Sequence, residues 1–324
     1  MSRLTVWLSG LTEFASAAEI LEKVGGIHTS SGSAWKRTQK WGEAYREAEE
    51  KERKAAEQVE MRQGIVAGEA QEAKRMGVAM DGCMIHIRKE GWKEVKVGCV
   101  FEVGKEKVFD ELTGEAVEVG RAVDNSYTAY LGGPEIFGQK VWAEAKRRGW
   151  QKAADTQALG DGAVWIWNLV AEHFYDSEQA VDWFHAKQHL SAAGQTLCGE
   201  GTPKFHGWLN EQETRLFQGH AEDIAALLRQ EAQQTPSLQE DLLQEAGYFE
   251  NNKRRMDYLD LRIHGWVIGS GMVESGGKQF KHRMAGPGMQ WGRTGAERML
   301  PIRTAILSGR FDQIWKTVQN SPQN

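Results

Sequence analysis

The sequence has few cysteines and no long apolar run. Its three cysteines, Cys83, Cys99 and Cys198, are widely spaced and form no CxxC pair, which argues against both a disulfide framework and a zinc ribbon. The apolar stretch near the start, LTVWLSGL, is too short to span a membrane, and no small-residue cleavage site follows it. We therefore expect a reduced, cytoplasmic protein that does not insert into a membrane.

Two common catalytic signatures are also missing from the 324 residues. The chain has no G-x-x-x-x-G-K-[ST] loop of the kind that binds nucleotide phosphates. The tripeptide Gly-Ser-Gly at positions 269–271 lacks the strand-turn-helix setting of a nucleophilic serine. The sequence therefore indicates neither a phosphate-loop enzyme nor a serine hydrolase.

An excess of positive charge is missing as well, because the formal net charge is −5 at pH 7. This balance alone counts against a nucleic-acid-binding protein. The distribution of charge indicates the opposite, since residues 253–316 contain twelve basic and only five acidic side chains. A basic final part on an acidic body suits a protein that meets a polyanion with one face, although ordinary charge asymmetry explains it too.

Two short helices are predicted between residues 11 and 41. Apolar residues recur at helical spacing up to Gly25-Gly26, and the second helix contains Lys36 and Arg37. A helix, a glycine-containing turn and a basic helix form the outline of a helix-turn-helix, and an ordinary helix pair has the same outline.

Strand-like alternation begins at Met76. The runs RMGVAMDG, CMIHIRKEG and WKEVKVGCVFEV predict three antiparallel strands separated by Asp-Gly and Glu-Gly turns. A polar stretch, a helix, a strand ending before Asp161, a helix, a strand and a helix follow. This is the order of a ribonuclease-H-like domain. The predicted fold class is therefore α/β, with a mixed sheet, flanking helices, a helical insertion and the helix-turn-helix-like segment at the N terminus.

The chain divides accordingly into five predicted segments. They are the helix-turn-helix-like segment (1–42), a charged helical connector (43–75) with a break at 64–68, the first part of the core (76–191), the helical insertion (192–262), and the last part of the core with the basic tail (263–324).

Three acidic residues are candidates for a metal site. Asp81 and Asp161 each follow an apolar strand, and strand ends in an open sheet converge on one crevice. Glu274, in IGSGMVESGGK, is the third candidate. Carboxylate oxygens suit Mg²⁺, and two ions about 3.5 to 4 Å apart can drive in-line phosphoryl transfer. The alternatives stay open that both aspartates are hairpin-turn residues and that Glu274 is a solvated helix residue.

A zinc site is the rival hypothesis. His185 and His189 are four residues apart and share a helix face, where Asp182 and Asp176 could join them. The histidines lack the intervening glutamate of zinc proteases and have no other clear ligand, so packing is the simpler role for them.

Several longer stretches resemble the DDE transposases of bacterial insertion sequences, most of all the ISKra-type group. They run in the family's order from about Met76 to Trp315, roughly three quarters of the chain. The stretches are MGVAMDGCMIHIR, GWKEVKVG, LGDGAVWIWNL, AVDWFHAKQHL, YFENNKRRMDY, IHGWVIGSGMVESGGKQFKHRMAGPGMQW and RTAILSGRFDQIW. The resemblance implies a ribonuclease-H-like catalytic core, divalent metal ions and cut-and-join chemistry at the inverted-repeat ends of a mobile element.

The resemblance also implies roles for individual residues. Asp81, Asp161 and Glu274 match the family's catalytic residues and would share two Mg²⁺ ions, with Mn²⁺ as a substitute. Lys281 stands where many such enzymes have a basic residue facing DNA. The other expected DNA contacts are Lys278, Arg283 and Arg293, with Lys36 and Arg37 in the helix-turn-helix-like segment, and the expected supporting residues are Asp182, His185 and His189.

The function expected from this resemblance is metal-dependent DNA strand cleavage followed by strand transfer. The partners would be double-stranded DNA with terminal inverted repeats, target DNA and further copies of the chain, and the bound protein would lie on the bacterial nucleoid. Related proteins tend to have more sequence before the first helices, so a shortened or repurposed copy that binds DNA without cutting it is the main alternative. A nuclease that never joins strands and a non-catalytic α/β protein are the others.

Overall fold

The computed structural model describes residues 1–56, 74–110 and 115–320. The break predicted at residues 64–68 lies outside these residues.

Three helices form the N-terminal part: α1 (Ser2–Leu11), α2 (Phe14–Gly25) and α3 (Ser31–Ala55). The two predicted helices are confirmed, whereas α1 was not predicted. Gly26 ends α2 in the left-handed conformation with a φ of 63°, and Ser30 caps α3 by accepting the Ser33 N–H. Helix α3 continues past residue 42, so the basic helix and the first part of the predicted connector are one element.

One mixed sheet lies at the centre of the described structure. Its strands are β1 (Met76–Ile87), β2 (Gly91–Asp110), β3 (Glu115–Tyr130), β4 (Thr156–Gly160) and β5 (Glu178–Val181). They lie in the order β3-β2-β1-β4-β5. Strands β1, β2 and β3 are antiparallel neighbours, whereas β4 is parallel to β1 and β5 is parallel to β4. The predicted α/β class is confirmed, and the sheet is compatible with a ribonuclease-H-like fold.

Two predictions about the strands were wrong. Asp81-Gly82 is not a turn, because β1 continues through it to Ile87 and Asp81 pairs with Val97 of β2. The first two predicted strands are therefore one strand. The third antiparallel strand is β3, in a stretch that we expected to be a polar connection. Its charged side chains are typical of an edge strand and obscure the apolar alternation.

Helices alternate with β4 and β5, and the described residues after β5 form further helices. Helix α4 (Pro134–Arg147) precedes β4, α5 (Val164–His173) lies between β4 and β5, and α6 (Trp183–Cys198) follows β5. The stretch predicted as a helical insertion contains α7 (Pro203–Phe217), α8 (Ala221–Gln234), α9 (Gln239–Asn252) and α10 (Tyr258–Ile263). The final described helices are α11 (Gly271–Met284), α12 (Arg293–Leu307) and α13 (Phe311–Asn320).

A hydrophobic cluster joins the first helices to the last ones. Val6 of α1 and Tyr45 of α3 pack in it with Ile302 of α12 and Trp315 of α13. The Tyr45 hydroxyl donates to the carbonyl oxygen of Phe311 at 2.7 Å. A larger cluster joins the sheet to its flanking helices. Among the described helices, none combines the length and the apolar character needed to cross a membrane.

Candidate active site

Three aspartates lie in register with one another: Asp81 within β1, Asp161 just after β4 and Asp182 just after β5. The parallel register pairs Ala79 of β1 with Leu159 of β4, and continuing it by two residues places Asp81 beside Asp161. The register of β4 with β5, continued by one residue, places Asp161 beside Asp182. Neighbouring strands lie about 4.8 Å apart, and residues in register point to the same face of a sheet. The backbone therefore delivers three carboxyl groups to one place.

Asp81 is surrounded by like charges. Burial raises the pKa of its carboxyl group, and the negative charges of Asp161 and Glu274 raise this pKa further. The Gly82 N–H, which donates to Asp81 Oδ1 at 2.6 Å, and the nearby His185 act in the opposite direction. The three acidic residues singled out from the sequence therefore lie within electrostatic reach of one another.

Asp161 begins the turn that leads from β4 to α5. Its Oδ1 accepts the Ala163 N–H at 2.8 Å. Gly162 has a φ of +104°, and a Cβ atom there would lie 2.7 Å from the ring of Tyr248. Tyr248, in α9, donates its hydroxyl to the carbonyl oxygen of Asp161 at 3.0 Å. A residue of the helical insertion therefore supports the turn that carries Asp161.

Glu274 lies in the first turn of α11, the helix that crosses β1. Its Oε2 lies 3.6 Å from Nζ of Lys278, one turn further along. Gly276 lets α11 approach the sheet closely, because a Cβ atom there would lie 2.5 Å from the ring of Tyr127 in β3. The close packing of α11 on the sheet therefore depends on a glycine two residues from Glu274.

Asp182 is almost fully buried and joins two helix starts. Its Oδ1 accepts the His185 N–H at 2.6 Å at the start of α6, and its Oδ2 accepts the N–H of Ser270, just before α11. The carboxylate therefore couples the position of α6 to that of the helix that carries Glu274. This geometry favours a positioning role for Asp182.

His185 and His189 lie on one face of α6, with ring centroids 5.1 Å apart. His189 Nδ1 lies 2.7 Å from Oε2 of Glu245, and its ring stacks on Tyr248 with a centroid distance of 3.6 Å. Both oxygens of Asp182 already accept backbone N–H groups. His189 therefore contacts two residues of α9. These contacts favour a role in packing and positioning over the rival hypothesis of a zinc site.

The candidate carboxylates are engaged by local partners. Asp81 and Asp161 accept neighbouring N–H groups, and Glu274 faces Lys278. With these side-chain orientations, no three His, Cys, Asp or Glu side chains in residues 1–56, 74–110 and 115–320 are grouped as a metal site. Rotation of the carboxylates toward a shared cation would remove their mutual repulsion. A donor set of carboxylate oxygens suits a hard divalent cation.

The expected DNA contacts on α11 differ in exposure. Lys278 and Lys281 are exposed, and their spacing of four and seven residues from Glu274 puts all three on one helix face. Arg283 is buried instead, and its Nε donates to the carbonyl oxygen of Ser9 at 2.7 Å. Its guanidinium lies against the rings of Phe14 and Trp291, so Arg283 is not on the exposed face that carries Lys278 and Lys281.

The other expected DNA contacts are partly engaged within the protein. Arg293 forms an ion pair with Glu90, with a distance of 2.8 Å between Nε and Oε1. Arg37 donates to the hydroxyl of Thr29 at 3.3 Å, whereas Lys36 is exposed.

Tyr248 and Glu245 were not among the predicted site residues. The sequence signal for Tyr248 is the stretch YFENNKRRMDY, which begins at this residue, whereas Glu245 lies outside it. A separation of 87 residues from Asp161 hides the contact, since nothing local links the insertion to the strand end.

No model of a known protein family matches this chain, and a search of curated proteins found no match.

Proposed function

We propose that this chain is a DNA transposase that cleaves and joins DNA strands at the ends of a mobile element. The observation that carries the proposal is the convergence of Asp81, Asp161 and Glu274 from β1, the end of β4 and the first turn of α11. The strand order β3-β2-β1-β4-β5 supports a ribonuclease-H-like core. Active sites are where like-charged groups are held together at a cost to stability.

Asp81, Asp161 and Glu274 would hold two Mg²⁺ ions, with Mn²⁺ as a substitute. When bound, such ions activate the attacking oxygen and stabilise the leaving oxygen of a phosphodiester. Asp182 fixes the two helix starts beside the carboxylates, and Tyr248 holds the backbone of Asp161. These two residues position the site without contacting the substrate.

The proposed DNA surface includes the exposed face of α11. Lys278 and Lys281 lie on the face of Glu274, so they would bind the phosphates that flank the reacting one. Lys36 and the pair of helices α2 and α3 would recognise the inverted repeats in the manner of a helix-turn-helix. Two element ends must meet during transposition, so the protein would act as a homo-oligomer on DNA, in the bacterial cytoplasm.

The test is cleavage of labelled DNA that carries the element's own flanking inverted repeats. It is run with Mg²⁺, with Mn²⁺ and with EDTA, and products are examined for both nicked and joined strands. We expect metal-dependent nicking at a repeat end that Asp161→Asn abolishes. Asp241→Asn, on the exposed surface of α9, is the matched control and should cleave normally. Nicking without joined products would indicate a nuclease instead.

A DNA-binding protein that does not cut is the second candidate. Asp81 accepts the Gly82 N–H and Asp161 accepts the Ala163 N–H. Carboxylates with a purely structural role form such hydrogen bonds, and this favours the second candidate. In that case the protein would bind repeat DNA, neither metal would give cleavage, and Asp161→Asn would leave binding unchanged.

A further inference from the structure

A cavity lies away from the three carboxylates. Its volume is about 480 Å³, within the range of about 300–1,000 Å³ that is usual for small-ligand sites. It opens between the start of α2, the start of α3 and the loop that joins α11 to α12. Among its lining residues are Glu13, Phe14, Trp35, Arg88, Arg283 and Trp291. Nine residues of α11 separate Glu274 from Arg283, which is roughly 14 Å along the helix.

Arg283 is a buried cation with unused donors. Its side chain is 2% exposed, Nε donates to the Ser9 carbonyl oxygen, and Nη1 has only the Met289 sulfur at 4.0 Å. Nη2 has no hydrogen-bond partner among the described residues. Burial, followed by the charge of Arg303, lowers the pKa of Arg283 to about 10, so the side chain is still charged at neutral pH. The negative charge of Glu13 acts in the opposite direction and raises this pKa. An anion in the cavity could accept a hydrogen bond from Nη2 and would offset the cost of burying the charge.

The cavity also offers aromatic surfaces. The Arg283 guanidinium lies 4.8 Å from the ring of Phe14 and 5.1 Å from that of Trp291. Trp35 is 46% exposed, so one large aromatic surface on the rim of the cavity is uncovered. Arg88 adds an exposed second cation, and Glu13 adds an acceptor for N–H groups. The walls thus combine a stacking surface, anion-binding donors and a hydrogen-bond acceptor.

We propose that this cavity binds one unpaired nucleotide, with its base stacked on Trp35 and its phosphate directed to Arg283 and Arg88. The carboxylate of Glu13 would accept an exocyclic amino group of the base. The ligand is a nucleoside monophosphate unit, which could be part of a DNA strand or a free nucleotide. The strand assignment rests on the proposed function, because the cavity and the carboxylates lie along the same helix.

The test uses DNA with a 2-aminopurine in a single-stranded 3′ overhang, without an inverted repeat and in EDTA. Stacking should quench the 2-aminopurine fluorescence in a saturable way. Trp35→Ala and Arg88→Ala should each weaken binding, by about tenfold for Trp35→Ala, since one base stacked on an aromatic typically contributes that much or more. Trp92→Ala is the matched control, because Trp92 is 61% exposed and is not among the residues lining the cavity. Free deoxyadenosine monophosphate is added as a competitor in a separate arm.

Each outcome separates the nucleotide site from the transposase activity. Equal affinity for wild-type protein and Trp35→Ala, or an equal loss with Trp92→Ala, would overturn the site even if repeat DNA is cleaved. Trp35-dependent quenching without cleavage of repeat DNA would support the site and remove the transposase assignment. If the free nucleotide competes at concentrations similar to those of the overhang DNA, the ligand of this site is a free nucleotide. Competition only at far higher concentrations would assign the site to a DNA strand.

Discussion

Asp81 lies within β1, where its charge opposes folding. Burial removes water from the carboxylate, and Asp161 and Glu274 repel it. A proton or a bound cation would offset both effects. Perturbed carboxylates of this kind are common at functional sites, which agrees with the role proposed for Asp81.

We expect Asp81→Asn to stabilise the metal-free protein at pH 8. Folding raises the pKa of Asp81, so the ionised group destabilises the folded state above that pKa. The effect vanishes below the unfolded pKa of about 3.9, where the group is protonated in both states. The gain in melting temperature should therefore be largest at pH 8 and shrink toward pH 4. Thermal unfolding in EDTA measures it, and a gain that grows toward acidic pH would contradict the assignment.

Tyr248→Phe should slow DNA cleavage without weakening DNA binding. The substitution removes the hydroxyl that donates to the Asp161 carbonyl and keeps the ring that stacks on His189. Loss of a group that orients a metal ligand typically costs about 10- to 100-fold in activity. Single-turnover cleavage rates measure the effect, with the exposed Tyr175→Phe as the matched control. A rate equal to that of the wild type would show that the contact does not position Asp161.

Helices α3 and α12 illustrate how one residue sets the distance between elements. A Cβ atom at Gly42 would clash with the carbonyl oxygen of Arg298 in α12. Backbone atoms cannot move away as a flexible side chain can, so the close approach of the two helices requires glycine here. The contact connects the N-terminal helices to the helices at the end of the chain.

Gly42→Ala should therefore destabilise the protein by about 1–3 kcal/mol, because overpacking outweighs the better helix propensity of alanine. Gly207→Ala in α7 is the matched control, since a Cβ atom there meets nothing within 4 Å. The control should be neutral or stabilising by up to about 1 kcal/mol. Chemical denaturation of both variants measures the difference. Equal stabilities would mean that α3 and α12 are not held this closely.

At the scale of the whole molecule, a negative net charge coexists with a basic final part. With a formal charge of −5, the DNA proposed as the substrate would have to approach a basic face. Several basic side chains of this part are engaged inside the protein, including Arg283 and Arg303, whose guanidinium groups donate to carbonyl oxygens of α1. The basic excess counted from the sequence therefore overstates the positive charge on the surface of this part.

Replacing both Lys278 and Lys281 by alanine should weaken DNA binding and make it less sensitive to salt. Each lost phosphate contact reduces the slope of log K against log salt concentration by about 0.9, so the expected change is about 2. Fluorescence anisotropy over a salt series measures the slope. The exposed pair Lys105→Ala and Lys204→Ala is the matched control. An unchanged slope in the α11 variant would place the DNA surface elsewhere.

The sequence by itself determined the α/β class and the three acidic residues that are candidates for a site. Apolar alternation marks strands because successive side chains point to opposite faces, and this is a local property. The turn at Asp161-Gly162 is also local, since it follows a buried strand and precedes a helix. The acidic residues could therefore be named from the sequence as candidates.

Only the tertiary structure decided how these parts meet. Pairing with β2 makes Asp81 a residue within a strand and not a turn, and the register with β4 places it beside Asp161. The Ser9 carbonyl and the rings of Phe14 and Trp291 surround the buried Arg283, and the insertion brings Tyr248 to the strand end. Register and burial depend on contacts between residues far apart in the chain, and no local pattern specifies them.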